Sequence, residues 1–214
     1  MPKNKVQDFF SRKNVASLVD IDGELYVSKK YVIGDATIEW DMLKKCFERG
    51  VRVPRPIKID DGTILMEYVD GSPLSDRKCL SSDQCRGIAE WLHEFHAALP
   101  GMKRGDAMLR NFLEHEEKIY GIDFEEAGAG DQLEDVSMLC ASILTESPIF
   151  EASKIMCARK IVGIYSMLSG TDVHDRCVDL IGRDLFAIYR RWRDHRGRKD
   201  KNLLQWTAFY KTVL

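Results

Sequence analysis

The hydrophobic pattern of the chain changes at Asp70-Gly71-Ser72-Pro73. Before this stretch, apolar residues form short runs rich in Val and Ile, and the Asp-Gly pairs between the runs are typical of hairpin turns. After it, apolar residues recur at helical spacing. We therefore predict an α+β fold with two lobes. Residues 1–70 would form a small β-rich lobe with one helix, and residues 71–214 a mostly helical lobe.

The predicted elements follow this division. In the first lobe, two pairs of strands flank a helix that begins near Ile38 and is capped by Asp35 or Thr37. In the second lobe, a capping box at Ser81 precedes a helix, and residues 102–124 are predicted to be non-helical. The helix that follows the capping box carries an apolar stripe over 88–99 and is stopped by Pro100-Gly101. The other predicted segments are strands at 15–19, 25–32, 57–59 and 64–69 and helices from about 135, at 152–168 and at 175–193.

Composition limits the function classes. The chain of 214 residues has 32 basic and 34 acidic residues, and a net charge of −2 argues against a general nucleic-acid binder. The six cysteines include no C-x-x-C pair, which argues against a zinc ribbon or a thioredoxin-type site. The sequence begins with polar residues and contains no apolar stretch long enough to cross a bilayer. We therefore expect a cytoplasmic protein with reduced thiols and no membrane partner.

Three polar residues within the non-helical segment carry the functional signal. Asp106 is followed by Asn111 in a D-x-x-x-x-N pattern, and Asp123 comes twelve residues later within an apolar Ile-Asp-Phe. Phosphoryl transfer needs a carboxylate that orients or deprotonates the acceptor hydroxyl, together with an amide and a second carboxylate that hold Mg²⁺ against nucleotide phosphates. Mg²⁺ prefers such hard oxygen ligands. The pattern therefore indicates a phosphotransferase site.

Further motifs accompany these residues in a defined order. They are Tyr26-Val27-Ser28-Lys29, Glu39 in the next helix, Gly50-Val51-Arg52-Val53-Pro54-Arg55-Pro56, the segment 65–74, Leu92-His93-Glu94-Phe95-His96, and Gly130-Asp131 with Glu134-Asp135. In this order the chain resembles the protein-kinase-like superfamily. It is most similar to the aminoglycoside and choline phosphotransferases and to the small atypical kinases of the RIO type and of the KEOPS complex.

The resemblance implies a bilobal protein-kinase-like fold with an ATP site between the lobes. Lys29 would position the ATP phosphates and Glu39 would hold Lys29. Lys30 is the alternative to Lys29, because strand alternation lets only one of the two lysines face the cleft. Backbone groups of Glu67 and Val69 would face adenine. The implied cofactors are ATP and Mg²⁺.

In the second lobe, the resemblance implies the remaining roles. Asp106 would be the catalytic base, and Asn111 and Asp123 would bind the metal. Arg110, four residues after Asp106, would supply positive charge near the γ-phosphate. Asp135 would brace the catalytic loop from the following helix.

Two of the departures from the family pattern concern the phosphate-covering turn and the residue before Gly105-Asp106. The turn that would cover the phosphates, residues 10–14, contains no glycine, so backbone amides would bind the phosphates with help from Ser11 or Lys13. Arg104 stands where a histidine usually precedes Gly-Asp, and we expect this change to matter little because that histidine only supports the loop backbone. The lysine, the base aspartate and the metal aspartate are all present.

These observations predict an ATP- and Mg²⁺-dependent phosphotransferase that acts on a hydroxyl group of a small molecule or of a protein serine or threonine. Only eleven residues separate Asp123 from Asp135, which is too short for the regulatory loop and peptide platform of a typical protein kinase. The alternative is a catalytically weak, nucleotide-binding pseudokinase that docks a partner. The turn without glycine and the substitution at Arg104 motivate that alternative.

Two charged segments and two histidines allow more than one interpretation. The basic segment 190–199 is either an exposed helix end favoured by the helix dipole or a contact surface for RNA or protein. The acidic residues of segment 123–135 are either a solvated face or part of a site for Mg²⁺ and a cationic substrate. We expect His93 and His96 to be packed side chains rather than metal ligands.

Overall fold

The structure of the chain is a computed structural model that describes residues 4–9, 13–196 and 210–214. The strands are β1 (Asn4–Phe9), β2 (Val15–Ile21), β3 (Glu24–Lys30), β4 (Pro56–Asp60), β5 (Thr63–Glu67), β6 (Ser72–Pro73), β7 (Met102–Lys103), β8 (Phe112–His115), β9 (Lys118–Gly121) and β10 (Gly128–Ala129). The helices are α1 (Ala36–Glu48), α2 (Ser82–Ala98), α3 (Leu133–Thr145), α4 (Ala152–Ser169) and α5 (His174–Arg196). An antiparallel sheet with the order β1-β2-β3-β5-β4 and helix α1 form the first lobe, and helices α2 to α5 dominate the second.

Two tight turns shape the sheet of the first lobe. Asp22 and Gly23 join β2 to β3 at φ values of 57° and 87°, and Asp61 and Gly62 join β4 to β5 at 43° and 66°. Both central residues of a type I′ turn need a positive φ, which Asp tolerates and Gly adopts without strain. The Asp-Gly pairs therefore form the two hairpins that the sequence predicts.

Helix α1 lies next to strands β4 and β5. Asp35 caps its start by accepting a hydrogen bond from the Thr37 amide at 2.9 Å. Met42 and Leu43 are buried in the core. The same helix carries Glu39 in its first turn, and this position brings the carboxylate to the junction of the lobes.

Helix α2 is the central support of the second lobe. Ser81 and Gln84 form a capping box at its start. Trp91 and Phe95 are fully buried on the helix, with their ring centroids 5.5 Å apart. Both rings also lie near the ring of Phe124, at 6.3 and 6.0 Å. The segment that follows β9 is therefore anchored on α2.

The fold agrees with the prediction of an antiparallel first lobe with one helix and a helical second lobe, while several boundaries differ. The sequence does not predict β1, because nearly all of its residues are exposed and no apolar alternation marks it. The strand predicted at 25–32 ends at Lys30 as β3, and the strand predicted at 64–69 ends at Glu67 as β5. In both cases the chain leaves the sheet earlier to connect to the next element.

The state of the cysteines and the character of the helices relate to two expectations from composition, reduced thiols and the lack of a membrane-spanning stretch. All six cysteines are free thiols, and five of them are buried. Burial raises the pKa of Cys46 and of Cys177 to about 12, so both thiols stay protonated and unreactive at neutral pH. Among the described residues, no helix combines the length and the apolar character that crossing a membrane requires.

Candidate active site

A lysine from the sheet meets two carboxylates where the lobes join. Lys29 Nζ lies 2.7 Å from Glu39 Oε2 and 2.7 Å from Asp123 Oδ1. Strand β3 supplies the lysine, α1 supplies the glutamate, and the segment after β9 supplies the aspartate. Lys30 is exposed, so Lys29 is the lysine that faces the cleft between the lobes.

Glu39 is almost completely enclosed, with 1% of its surface exposed. Its Oε1 accepts a hydrogen bond from the Phe124 amide at 3.2 Å, and its Oε2 accepts from Lys29 and from the Tyr31 hydroxyl. Burial favours the neutral form of Lys29, but the carboxylates of Glu39 and Asp123 outweigh it and raise the pKa of Lys29. Lys29 therefore stays charged at physiological pH. Burial and the neighbouring Glu39 also raise the pKa of Tyr31, so its hydroxyl remains a donor.

A second cluster lies on the loop before β8. A single turn of 3₁₀ helix, Leu109–Asn111, returns the Asn111 side chain to Asp106. Asn111 Nδ2 donates to the Asp106 carbonyl at 2.8 Å and to Asp106 Oδ2 at 3.1 Å. Arg110, whose side chain is half exposed, also donates to Asp106 Oδ2. These bonds fix the orientation of the Asp106 carboxylate.

Arg104 is fully buried beneath these two clusters. Its guanidinium donates to the backbone carbonyls of Asp106, Ile122 and Asp123, the last two at 2.6 and 3.2 Å. It also lies over two aromatic rings, 5.0 and 5.2 Å from their centroids. The sequence interpretation assigned little weight to the residue at this position, whereas the guanidinium joins the loop of Asp106 directly to the segment of Asp123.

Asp135, at the start of α3, holds the backbone of the loop that precedes Asp106. Its carboxylate accepts hydrogen bonds from the amides of Arg104 at 2.7 Å and Gly105 at 3.0 Å. Gly105 has a φ of 88°, and an added Cβ would lie 2.3 Å from a backbone oxygen, so the loop needs glycine there. His96 lies between Asp135 and the Tyr165 hydroxyl at 2.9 and 2.8 Å, which is the packed position that the sequence predicts. The described residues contain no cluster of potential metal-binding side chains of the His, Cys, Asp and Glu type.

The segment between the lobes begins where β5 ends at Glu67. Beyond it, the Gly71 amide donates to the Val69 carbonyl at 2.8 Å and turns the chain into the second lobe. A cavity of about 400 Å³ lies beside this segment and includes Glu67 and Val69 in its lining. Neither Lys29 nor Asp123 lines it, so this cavity is separate from the cleft in which those two side chains meet.

Two of the predicted binding regions lie wholly or partly outside the described residues. Ser11 lies outside them, while Lys13 and Asn14 of the same turn are described and contact Glu125. In the basic segment 190–199, only the side chains of residues 190 and 191 are described, and both are exposed on α5.

The acidic residues after Asp123 have basic partners within the protein. The ion pairs are Lys13 with Glu125 at 3.2 Å and with Glu126 at 3.4 Å, Arg176 with Asp131 at 2.6 Å, Arg183 with Glu134 at 3.0 Å, and Lys103 with Glu134. This pairing favours a structural role for the acidic residues over recognition of a cationic substrate.

The fold and the site together place the chain in the protein-kinase-like superfamily. The small sheet lobe carries a lysine–glutamate pair, and the helical lobe carries a D-x-x-x-x-N loop and a second aspartate. Residues 22–141 match the family model of the RIO domain. Because that match covers more than half of the chain, the chain belongs to the RIO domain family.

Two curated relatives match parts of the chain. A protein of Methanospirillum hungatei JF-1 named for bifunctional tRNA threonylcarbamoyladenosine biosynthesis is 31% identical over 59% of this chain and 26% of its own length. The KEOPS complex subunit Bud32 of Pyrococcus abyssi is 30% identical over 52% of this chain and 51% of its own length. The chain thus matches about a quarter and about half of the lengths of these relatives.

Solved structures share the fold at low sequence identity. Amicoumacin kinase hAmiN, in complex with AMP-PNP, Ca²⁺ and Ami, superposes with a TM-score of 0.72 at 13% identity, covering 98% of this chain and 87% of that one. The Rio2 kinase of Chaetomium thermophilum, in its ADP/Mg²⁺-phosphoaspartate complex, gives 0.56 at 16% identity over 85% and 69% of the two chains.

Proposed function

We propose that the protein transfers the γ-phosphate of ATP, in the presence of Mg²⁺, to a hydroxyl acceptor. The observation that carries this proposal is the contact of Lys29 with both Glu39 and Asp123, because it joins a cation for the nucleotide phosphates to a carboxylate for the metal. In this proposal residues 1–70 bind the nucleotide, with the backbone of Glu67 and Val69 towards adenine. Residues 71–214 carry the catalytic loop and the metal ligands.

The donor atoms near Asp123 fit a magnesium ion. The Asp123 carboxylate is about one-third exposed towards the cleft, and Asn111 uses its Nδ2 to bind Asp106, so its amide oxygen is the atom that can bind a metal. One carboxylate and one amide oxygen are enough, because Mg²⁺ takes its remaining ligands from phosphates and water. A bound Mg²⁺ would neutralise charge on the β- and γ-phosphates.

Asp106 and Arg110 would act on the acceptor and on the transferred group. The acceptor oxygen bonds to the γ-phosphorus while the bond from that phosphorus to the β–γ bridging oxygen of ATP breaks, and Asp106 takes the hydroxyl proton. Arg110 lies beside Asp106 with a half-exposed side chain, so its guanidinium can reach the γ-phosphate. Such catalysis depends on positioning and charge stabilisation, which these few groups can provide.

In this proposal the acceptor hydroxyl belongs to a small molecule or to a protein serine or threonine. The fold is shared with amicoumacin kinase, whose complex contains AMP-PNP and a divalent cation, which supports a nucleotide and metal site. The KEOPS subunit among the relatives supports a second candidate function. This candidate is a nucleotide-binding module that docks a partner, with the segment 190–199 as a contact for RNA or protein.

We place the proposed phosphotransferase activity in the cytoplasm, in keeping with six free thiols.

Transfer of label from γ-labelled ATP tests the proposal. Wild-type protein, Asp106→Asn, Asp123→Ala and the control Asp41→Asn, which changes an exposed carboxylate on α1, are incubated with Mg²⁺ and either pooled metabolites or pooled cell proteins. We expect labelling by wild type and control only, and the labelled pool identifies the acceptor class. If all four proteins give equal labelling, the assigned site is wrong. If nucleotide stabilises the fold but no pool is labelled, the docking module is favoured.

A further inference from the structure

A partly buried hydrogen bond connects the residue before β2 to the segment that carries Asp123. Asn14 Nδ2 donates to Glu125 Oε2 at 2.9 Å, and Asn14 Oδ1 accepts from the amides of Val32 and Ile33 at 3.1 and 3.4 Å. Asn14 is buried, with 6% of its surface exposed. The hydrogen bond between Asn14 and Glu125 therefore positions the end of the glycine-free turn next to the segment that follows Asp123.

Lys13, the residue before Asn14, forms ion pairs that a ligand could replace. Lys13 Nζ lies 3.2 Å from Glu125 and 3.4 Å from Glu126, while its side chain remains 52% exposed. The hydrogen bond to Glu125 raises the pKa of Lys13, so the ammonium stays charged. Exposed ion pairs contribute little to stability, and a polyanion that enters the cleft can displace the two carboxylates.

The position of Lys13 relative to Lys29 indicates which polyanion would displace Glu125 and Glu126 from Lys13. Glu125 follows Asp123 by two residues, so the ammonium of Lys13 contacts one end of a short segment whose other end is bound by Lys29. A nucleotide whose metal is held at Asp123 would have its terminal phosphates beside both ammonium groups. Phosphate oxygens, like the carboxylates of Glu125 and Glu126, form charge-assisted hydrogen bonds with ammonium groups, so they can take the place of these partners.

We propose that Lys13 is a nucleotide phosphate-binding residue, held over the metal segment by the Asn14–Glu125 bridge and transferred from Glu125 and Glu126 to the phosphates when the nucleotide binds. This side-chain clamp would replace the backbone contacts that a glycine-rich turn provides. The inference rests on the proposed nucleotide site and assigns a phosphate ligand to it.

Binding of Mg²⁺·AMP-PNP and of adenosine, measured by calorimetry, tests this assignment. We expect Lys13→Met to weaken AMP-PNP binding about tenfold while adenosine affinity stays unchanged, because adenosine has no phosphate. Lys13→Arg should restore most of the affinity for AMP-PNP. The matched control is Lys44→Met, which breaks a similarly exposed ion pair with Glu48 on α1 and should bind both ligands like the wild type.

A fourth variant tests the exchange of partners. Glu125→Gln keeps an acceptor for Asn14 but removes the charge that competes for Lys13, so AMP-PNP should bind at least as tightly as to wild type. Unchanged AMP-PNP affinity in Lys13→Met, or an equal loss for both ligands, would overturn the assignment while leaving the nucleotide site in place. Tenfold weaker binding in Glu125→Gln would overturn the exchange. A wild-type protein that binds neither ligand would instead refute the proposed function itself.

Discussion

Glu39 is a buried carboxylate that the fold surrounds with donors. Lys29, the Tyr31 hydroxyl and the Phe124 amide all donate to it. Removing such charges from water costs several kcal/mol per ion, and apolar replacements of buried ion pairs are often as stable or more stable. We therefore interpret this cluster as a device that positions Lys29 against Asp123 rather than as a source of stability.

Arg104 differs from Glu39, because we expect it to contribute to stability. Its guanidinium donates hydrogen bonds to three backbone carbonyls. Replacing Arg104 with leucine would leave three backbone carbonyls without this donor, so we expect Arg104→Leu to lower the free energy of unfolding by about 3 kcal/mol. Arg104→His should cost less, since an imidazole can still donate to one of these carbonyls. Urea unfolding of both variants measures the difference.

Arg159→Leu is the matched control for Arg104, because Arg159 is exposed on α4. It should unfold within about 0.5 kcal/mol of the wild type. An Arg104→Leu protein as stable as this control would contradict the role of the guanidinium in joining the two loops. The guanidinium Nε has no hydrogen-bond partner in the described part of the chain, which already reduces the benefit of burying it.

The resemblance to kinase-like motifs predicts one of the contacts in the candidate site. Lys29 and Glu39 are brought together as the resemblance implies, whereas the hydrogen bond from Asn111 to Asp106 was not predicted, because the resemblance implies only a metal ligand at Asn111. The role of Arg104 was missed because a substitution in a motif does not tell which atoms the new side chain reaches. Only the backbone carbonyls to which its guanidinium donates reveal that role.

Among the elements, two glycines of the second lobe have opposite structural consequences. Gly163 lies on the exposed side of α4, and an added Cβ would meet nothing within 4 Å. Gly121 ends β9, and an added Cβ would lie 2.1 Å from the Trp91 ring, which is fully buried on α2. The first glycine weakens its helix, whereas the second makes room for the central aromatic cluster.

We therefore expect Gly163→Ala to stabilise the protein by about 0.5 to 1 kcal/mol, because alanine has a lower conformational entropy cost in a helix. Gly121→Ala should destabilise it by about 1 to 3 kcal/mol through overpacking. Thermal unfolding should separate the two variants, with midpoints shifted upward and downward by several degrees. Equal midpoints would mean that α2 and β9 can move apart at little cost.

Elements with a local signal were predictable and those held by neighbours were not. The hairpin turns at Asp22-Gly23 and Asp61-Gly62 and the capping box at Ser81 carry their own chemistry in the sequence. Strand β1 has no such signal, because its pairing with β2 rather than burial of its side chains holds it in the sheet. The early ends of β3 and β5 likewise depend on where the next element must begin.

At the level of the whole molecule, the buried core runs without interruption from one lobe into the other. Leu43 and Ile64 of the first lobe belong to the same cluster as Trp91 and Leu144 of the second. Ion pairs add connections between elements at the surface, and Glu134 forms two of them. It joins α3 to Lys103 on β7 and to Arg183 on α5.

The charge of Glu134 should make the stability of the whole fold depend on pH. The hydrogen bond from Lys103, and then the one from Arg183, lower the pKa of Glu134. A carboxyl group with a lower pKa in the folded chain stabilises the fold above its unfolded value of about 4.3, and this contribution is lost as the pH falls through the folded pKa.

We expect Glu134→Gln to reduce the free energy of unfolding by about 0.5 to 1 kcal/mol near pH 7, because two partly exposed ion pairs disappear. The difference from wild type should shrink as the pH falls below about 4.3, because protonation removes the same charge from the wild type. Urea unfolding across the acidic range measures this difference. The control is Glu117→Gln, which changes an exposed carboxylate in the turn between β8 and β9 and should follow the wild type at each pH. A difference between Glu134→Gln and wild type that stayed constant with pH would show that Glu134 joins the three elements by its packing and not by its charge.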